Sequence, residues 1–224
     1  MVSVASLTSR SARKQVSFIK YDWVLPDTLM GVEVEVDSDH TAESTHPEPH
    51  NLISWNRHHD GSLVNGFEYT LKSPMEGDSL SKAISELFAP PSDFHRTFTG
   101  STHIHIDMLG ADVTLDVLRT MVLLVYTLEP ALYAAGDSSR EWCGYSNSLK
   151  SADPTLLSTL FADDVTSKFT RTYRRGSQLG RYYGLNLTAL TDYGSLEFRY
   201  FPTATSAEEL VNALVPVGQR LARR

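Results

Sequence analysis

The chain has 224 residues, 41% of them apolar and 21% charged, the composition of a soluble globular protein long enough for one large domain or two small ones. A net charge of −7 speaks against a nucleic-acid surface, because phosphate backbones are held mainly by an excess of Lys and Arg. The longest uninterrupted apolar stretch, Met121 to Tyr126, is too short to cross a bilayer and no charged-then-apolar leader opens the chain, so neither a membrane nor a secretory role is expected.

Residues 1–22 read as a basic arm with a first strand near Gln15 to Tyr21, ahead of a single domain over 23–224. Leu29 to Val36 reads as a strand. A loop from Asp37 to Asn51 follows, and its His40, His46 and His50 are expected to be solvated. Leu52 to Leu71 holds two strands joined at Asp60-Gly61. Asp78 is expected to cap a helix running to about Phe88, ended by Pro90-Pro91. Thr97 to Met108 returns as a strand. From Gly110 to Gly136 the residues Leu115, Leu118, Val122, Val125, Leu128 and Leu132 recur at three- and four-residue steps, an apolar core stripe on a helix that Pro130 should kink or interrupt. A helix over Pro154 to Phe161, strands over Tyr182 to Leu190 and Ser195 to Phe201, and a helix over Ala207 to Leu221 complete the chain. Cys143 is the single cysteine, so no internal disulfide forms and a reducing, cytoplasmic home is expected. Trp142-Cys143-Gly144 supplies no activating neighbour, and a packed thiol is expected.

Four strand-like segments carry the chemistry: Gly31 to Val36, Gly66 to Tyr69, His103 to Asp107 and Ser195 to Tyr200. Side chains alternate faces along a strand, so Glu33 and Glu35 share one face about 7 Å apart while Val32, Val34 and Val36 share the other. The same alternation pairs His103 with His105, and Glu197 with Arg199. Gathered together, Glu33, Glu35, Glu68 and Glu197, with Asp60, meet two imidazoles. Carboxylates about 6 to 7 Å apart repel by roughly 2.5 kcal/mol at an effective dielectric near 20, so several in one cavity call for cations. Oxygen donors in the majority and no thiolate favour Mg²⁺ or Mn²⁺, in two or more ions, over structural zinc. Arg199 beside Glu197, with Arg181 earlier, supplies the guanidinium groups that phosphoryl transfer needs. The bland alternative for Glu197 and Arg199 is a surface ion pair on an edge strand.

The ordered set Gly31-x-Glu33-x-Glu35, Asp60 with Gly66-x-Glu68, His103-x-His105, Arg181 with Asn186, and Glu197-x-Arg199 resembles the amidoligase family, small relatives of glutamine synthetase and glutamate-cysteine ligase, over residues 29 to 202. The resemblance implies an α+β fold in which a curved, mostly antiparallel sheet forms an active-site trough with helices on its outer face. It implies an ATP- and Mg²⁺-dependent carboxylate-amine ligase acting on small-molecule or peptide carboxylates and amines. Glu35, Asp60 and Glu68 would then hold the metal nearer the acyl substrate, and Glu33, His103 and Glu197 the metal at the ATP phosphates. His105 resembles the family's phosphate-contacting His, and Arg181 and Arg199 its phosphate and acyl-phosphate contacts. Asn186 accompanies them, and Arg140, with Tyr145 beyond it, resembles an element that binds substrate carboxylate or nucleotide. Asp60 departs from the Glu usual at its position, and the chain lacks room for the N-terminal domain through which glutamine synthetase subunits complete each other's sites. Two other classes compete: a metal-dependent hydrolase on His103, His105 and Glu197, and a non-catalytic binding or assembly protein on the same fold.

Overall fold

The structure, a computed structural model, describes residues 28–37, 52–90, 92–109, 113–163, 165 and 181–222. The expected arm and first strand, the loop beyond Asp37 with His40, His46 and His50, and Gly110 lie outside the described residues. The fold is α+β, with six strands in the order β2-β3-β1-β4-β6-β5. These are β1 (Met30–Val36), β2 (Trp55–His59), β3 (Phe67–Leu71), β4 (Ser101–Asp107), β5 (Leu185–Asn186) and β6 (Ser195–Pro202). The described α-helices are α1 (Gly77–Leu87), α2 (Leu115–Ala135), α3 (Pro154–Phe161), α4 (Thr188–Asp192) and α5 (Ala207–Ala222).

The described residues divide into two compact units, one within 28–105 and 201–222 and the other within 106–200. In the first, the β1–β3 unit, β3 pairs antiparallel with both β1 and β2. Partners descend along β4 as they ascend along β1, with Glu33 meeting His103 and Glu35 meeting Ser101, so these two strands are antiparallel as well. Alternation divides β1 cleanly: Val32, Val34 and Val36 are buried in the core, and Val34 lies opposite the buried Tyr69 of β3. Helix α1 buries Leu80, Ala83, Ile84 and Leu87 along one stripe, and the Trp55 indole donates to the Ala83 carbonyl at 2.7 Å, fixing β2 against the helix. Each such fully buried leucine contributes about 2 kcal/mol.

In the second, the α2 unit, the helix has Thr114 as its N-cap, its hydroxyl accepting from the Val117 amide, and Gly136 at its C-terminus. Pro130 does not start a new helix; the proline is exposed and lies inside the single 21-residue helix Leu115–Ala135. The buried stripe also differs. Leu115, Leu118, Val122 and Val125 are core, but burial then moves to Glu129 and Tyr133, leaving Leu128 and Leu132 half-buried. A straight helix turns 100° per residue, so a stripe drawn at mixed three- and four-residue steps drifts around the axis over five turns. By length and composition alone α2 is apolar enough to cross a membrane, with mean hydropathy 1.3 over its most apolar window.

Other boundaries moved for local reasons. Helix α1 begins at Gly77, and Asp78 stands inside its first turn, where it faces the positive end of the helix dipole without capping it. Residues 97–100 are not strand, because the Thr97 hydroxyl accepts the Gly100 amide in a turn just before β4. The strand expected over Tyr182 to Leu190 shrinks to Leu185–Asn186, because the Asn186 carboxamide accepts from both the amide (2.9 Å) and hydroxyl (2.6 Å) of Thr188 and so starts α4. Cys143 is half-buried rather than fully packed.

Candidate metal and phosphate sites

In the β1–β3 unit the polar face of the sheet is a set of lateral rows. Glu35 stands opposite Glu68, and Glu68 opposite His58, while Ser101 of β4 donates a short hydrogen bond to Glu35. The next row places Asn56, Thr70, Glu33 and His103 side by side. One carboxylate oxygen from each of Glu35, Asp60 and Glu68 falls within 4.8 Å of the others. Such a set fits a hard divalent ion: oxygen donors only, negative charge in excess, and ligands from three strands or their ends. Asp60, the shorter side chain, reaches the group from the start of the turn it helps build, its carboxylate accepting the Ser62 amide at 2.7 Å.

Beside this group Glu33 is flanked by both histidines, with His103 Nδ1 at 3.0 Å and His105 Nε2 at 3.2 Å. Burial pushes the Glu33 carboxyl up, but hydrogen bonds and positive charge from His103 and His105 outweigh it and hold the group well below the usual carboxylate range. The His103 ring is spanned on its other side, where Nε2 lies 2.8 Å from the Ser101 hydroxyl. Gly31 makes room for this: a Cβ there would stand 3.2 Å from the His105 Cβ, tighter than ordinary contact.

The α2 unit holds the other expected residues. Asn186 and Glu197 are register partners, and the Asn186 amide donates to Glu197 Oε2 at 2.6 Å. Arg199 Nη1 meets Glu197 Oε1 at 2.6 Å, with both side chains largely buried. The surface-pair alternative therefore fails, since β6 lies between β4 and β5 and Glu197 is buried. Arg199 Nε donates to the Tyr145 carbonyl at 3.1 Å, and the buried Arg140 donates from Nε to the Arg199 carbonyl at 3.3 Å. Arg181 is exposed, with its guanidinium 5.8 Å over the Tyr182 ring.

Sequence reasoning passed over several members of these groups. Asp37 continues the alternation of Glu33 and Glu35, and its buried carboxylate accepts from the Val64 and Asn65 amides and the Thr99 hydroxyl, fixing the β2–β3 turn. Ser101 precedes His103 by two residues, and His58 precedes Asp60 by two, so the same period would have found both. Glu129 offered a weaker signal, a lone acid within an apolar helical stretch. No family model matches the chain, nor does any curated protein or solved structure.

Proposed function

We propose that the protein is an ATP- and Mg²⁺-dependent carboxylate-amine ligase that forms an amide or isopeptide bond through an acyl phosphate, in the cytoplasm. The observation that carries this reading is the gathering of Glu35, Asp60 and Glu68 oxygens within 4.8 Å, a repulsion that a bound divalent cation would relieve. The order of these residues along the chain, with Glu197-x-Arg199 at its end, supports it further.

In this reading Glu35, Asp60 and Glu68 hold one divalent ion, and Glu33 and His103 are ligands for a second. Bound ions supply charge neutralisation for the γ-phosphoryl group and the departing ADP. A substrate carboxylate oxygen attacks the γ-phosphorus and the bond to ADP breaks. An amine nitrogen then attacks the acyl carbon, phosphate leaves, and the nitrogen loses a proton to give the amide. Arg199, oriented by Glu197 and the Tyr145 carbonyl, meets the charge on the acyl phosphate. Arg181 and His105 contact phosphate, Asn186 keeps Glu197 in place, and Arg140 supports the Arg199 backbone. A hydrolase built on His103, His105 and Glu197 leaves Glu35, Asp60 and Glu68 without a role, which is why the ligase is preferred. The test is to incubate the protein with Mg²⁺, ATP and mixed amino acids or peptides. ADP release that requires both a carboxylate and an amine supports ligation, and ADP release indifferent to either contradicts it.

A further inference from the structure

Glu129 occupies a core position of α2, one turn beyond Val125, and is 1% exposed. A carboxylate there costs several kcal/mol to desolvate unless donors surround it. Three do: the Ser148 hydroxyl at 2.5 Å, the Leu149 amide at 2.8 Å and the Tyr200 hydroxyl at 3.1 Å. Burial first, and the negative charge of Glu129 after it, push the Tyr200 and Tyr133 phenols up, so both stay protonated as donors.

The donors are not scattered. Tyr200 follows Arg199 on β6, and Ser148 and Leu149 belong to the short segment whose Tyr145 carbonyl accepts Arg199 Nε. Tyr133, one turn along α2 from Glu129, donates a short hydrogen bond to the Ser146 carbonyl and sets its ring edge-on to Tyr200, centroids 4.9 Å apart. Asn147 is tied to residues 182–184, its amide donating to the Tyr182 carbonyl and its carbonyl accepting from Gly184, both at 2.8 Å. The Gly184 carbonyl in turn accepts the Arg199 amide at 2.7 Å. Gly184 is required there, since a Cβ would stand 2.1 Å from the Tyr200 ring. One carboxylate thus anchors both the strand that carries Arg199 and the segment that receives its side chain.

We propose that Glu129 is a positioning residue for Arg199, holding its guanidinium in place through Tyr200 on one side and the Ser148–Leu149 segment on the other. The phosphate role of Arg199 rests on the ligase reading; the placement of its guanidinium does not. The experiment uses the full chain labelled with ¹⁵N-arginine, with the Arg199 Nε–H resonance assigned by Arg199→Lys. Glu129→Ala is expected to speed solvent exchange of that proton about five- to tenfold, the equivalent of one lost hydrogen bond. Glu129→Gln, which still accepts from Leu149 and Tyr200 and can donate to Ser148, is expected to keep most of the protection. If Glu129→Ala does not fold, Tyr200→Phe and Ser148→Ala each remove one link and are expected to speed exchange in the same direction. An Arg199 resonance unchanged in position and exchange across the folded variants, with only the melting temperature lowered, overturns the proposal. As a second readout, Glu129→Ala should weaken inorganic triphosphate binding in the wild-type background and leave it unchanged in Arg199→Lys; independent, additive losses contradict positioning. Failure of the wild type to bind triphosphate sinks the phosphate role alone, and the exchange measurement still decides the placement.

Discussion

Glu129 and Glu35 are both buried carboxylates, 1% and 7% exposed, one in each unit, and their surroundings treat them in opposite ways. Glu129 receives three hydrogen-bond donors aimed at its two oxygens. Glu35 takes a donor from Ser101 but shares its space with the carboxylates of Asp60 and Glu68, within 4.8 Å. At that separation two negative charges repel by about 3.5 kcal/mol at an effective dielectric near 20. A carboxylate supplied with donors stabilises the fold by staying as it is, whereas one placed beside its own kind spends stability on readiness for a cation.

The largest expected effect is on turnover. Glu33→Gln should lower ATP-dependent amide formation by about 100-fold or more while the circular dichroism spectrum stays unchanged. Next come opposite effects on stability, read from urea midpoints at constant slope without divalent ions. Glu129→Ala leaves two hydroxyls and an amide unpaired and should cost about 3 kcal/mol, whereas Glu68→Gln removes one like charge and should be neutral or stabilising by up to about 1 kcal/mol. Equal losses in the two variants would erase the distinction between the carboxylates. Mg²⁺ at ten times its dissociation constant should then stabilise the wild type by about 1.4 kcal/mol and Glu68→Gln by much less. The smallest effects belong to a third carboxylate, Glu209 in the first turn of α5. It accepts from the Thr205 amide and hydroxyl and pairs with Arg96 at 2.9 Å, while the Ser206 hydroxyl accepts the Glu209 amide. Ser206→Ala should cost about 1 kcal/mol. Burial pushes Glu209 up, yet the Thr205 bonds and Arg96 outweigh it and hold its folded value below the ordinary 4.5. Its contribution, a few tenths of a kcal/mol for so exposed a group, is therefore present above that value and lost as pH falls through the depressed one, which comparison of wild type with Glu209→Gln between pH 6 and pH 3 would measure.

The strand chemistry was legible because alternation is rigid: once Val32, Val34 and Val36 face the core, Glu33 and Glu35 must face away, whatever the tertiary context. The β2–β3 hairpin was legible from Asp60-Gly61, and α3 from Asp153-Pro154 at its start. What escaped turned on solvent exposure, on local competition for the backbone and, for Glu129, on partners distant in sequence. Pro130 is tolerated because it is exposed, and β5 is cut short because the Asn186 side chain competes for the backbone. Glu129 reads as an interruption of an apolar stripe until Ser148 and Tyr200, 19 and 71 residues away, are brought to it. Glu197 and Arg199 were legible as a pair from the same alternation, and the burial of Glu197 sets aside their surface alternative.

Manganese binding followed by electron paramagnetic resonance, comparing wild type, Glu68→Gln and Glu129→Gln, decides whether the Glu35, Asp60 and Glu68 carboxylates take up a divalent ion. Wild type and Glu129→Gln are expected to bind Mn²⁺ alike, and Glu68→Gln at least about tenfold more weakly. Binding to Glu68→Gln as tight as to wild type, or no binding to wild type at millimolar Mn²⁺, would contradict that expectation.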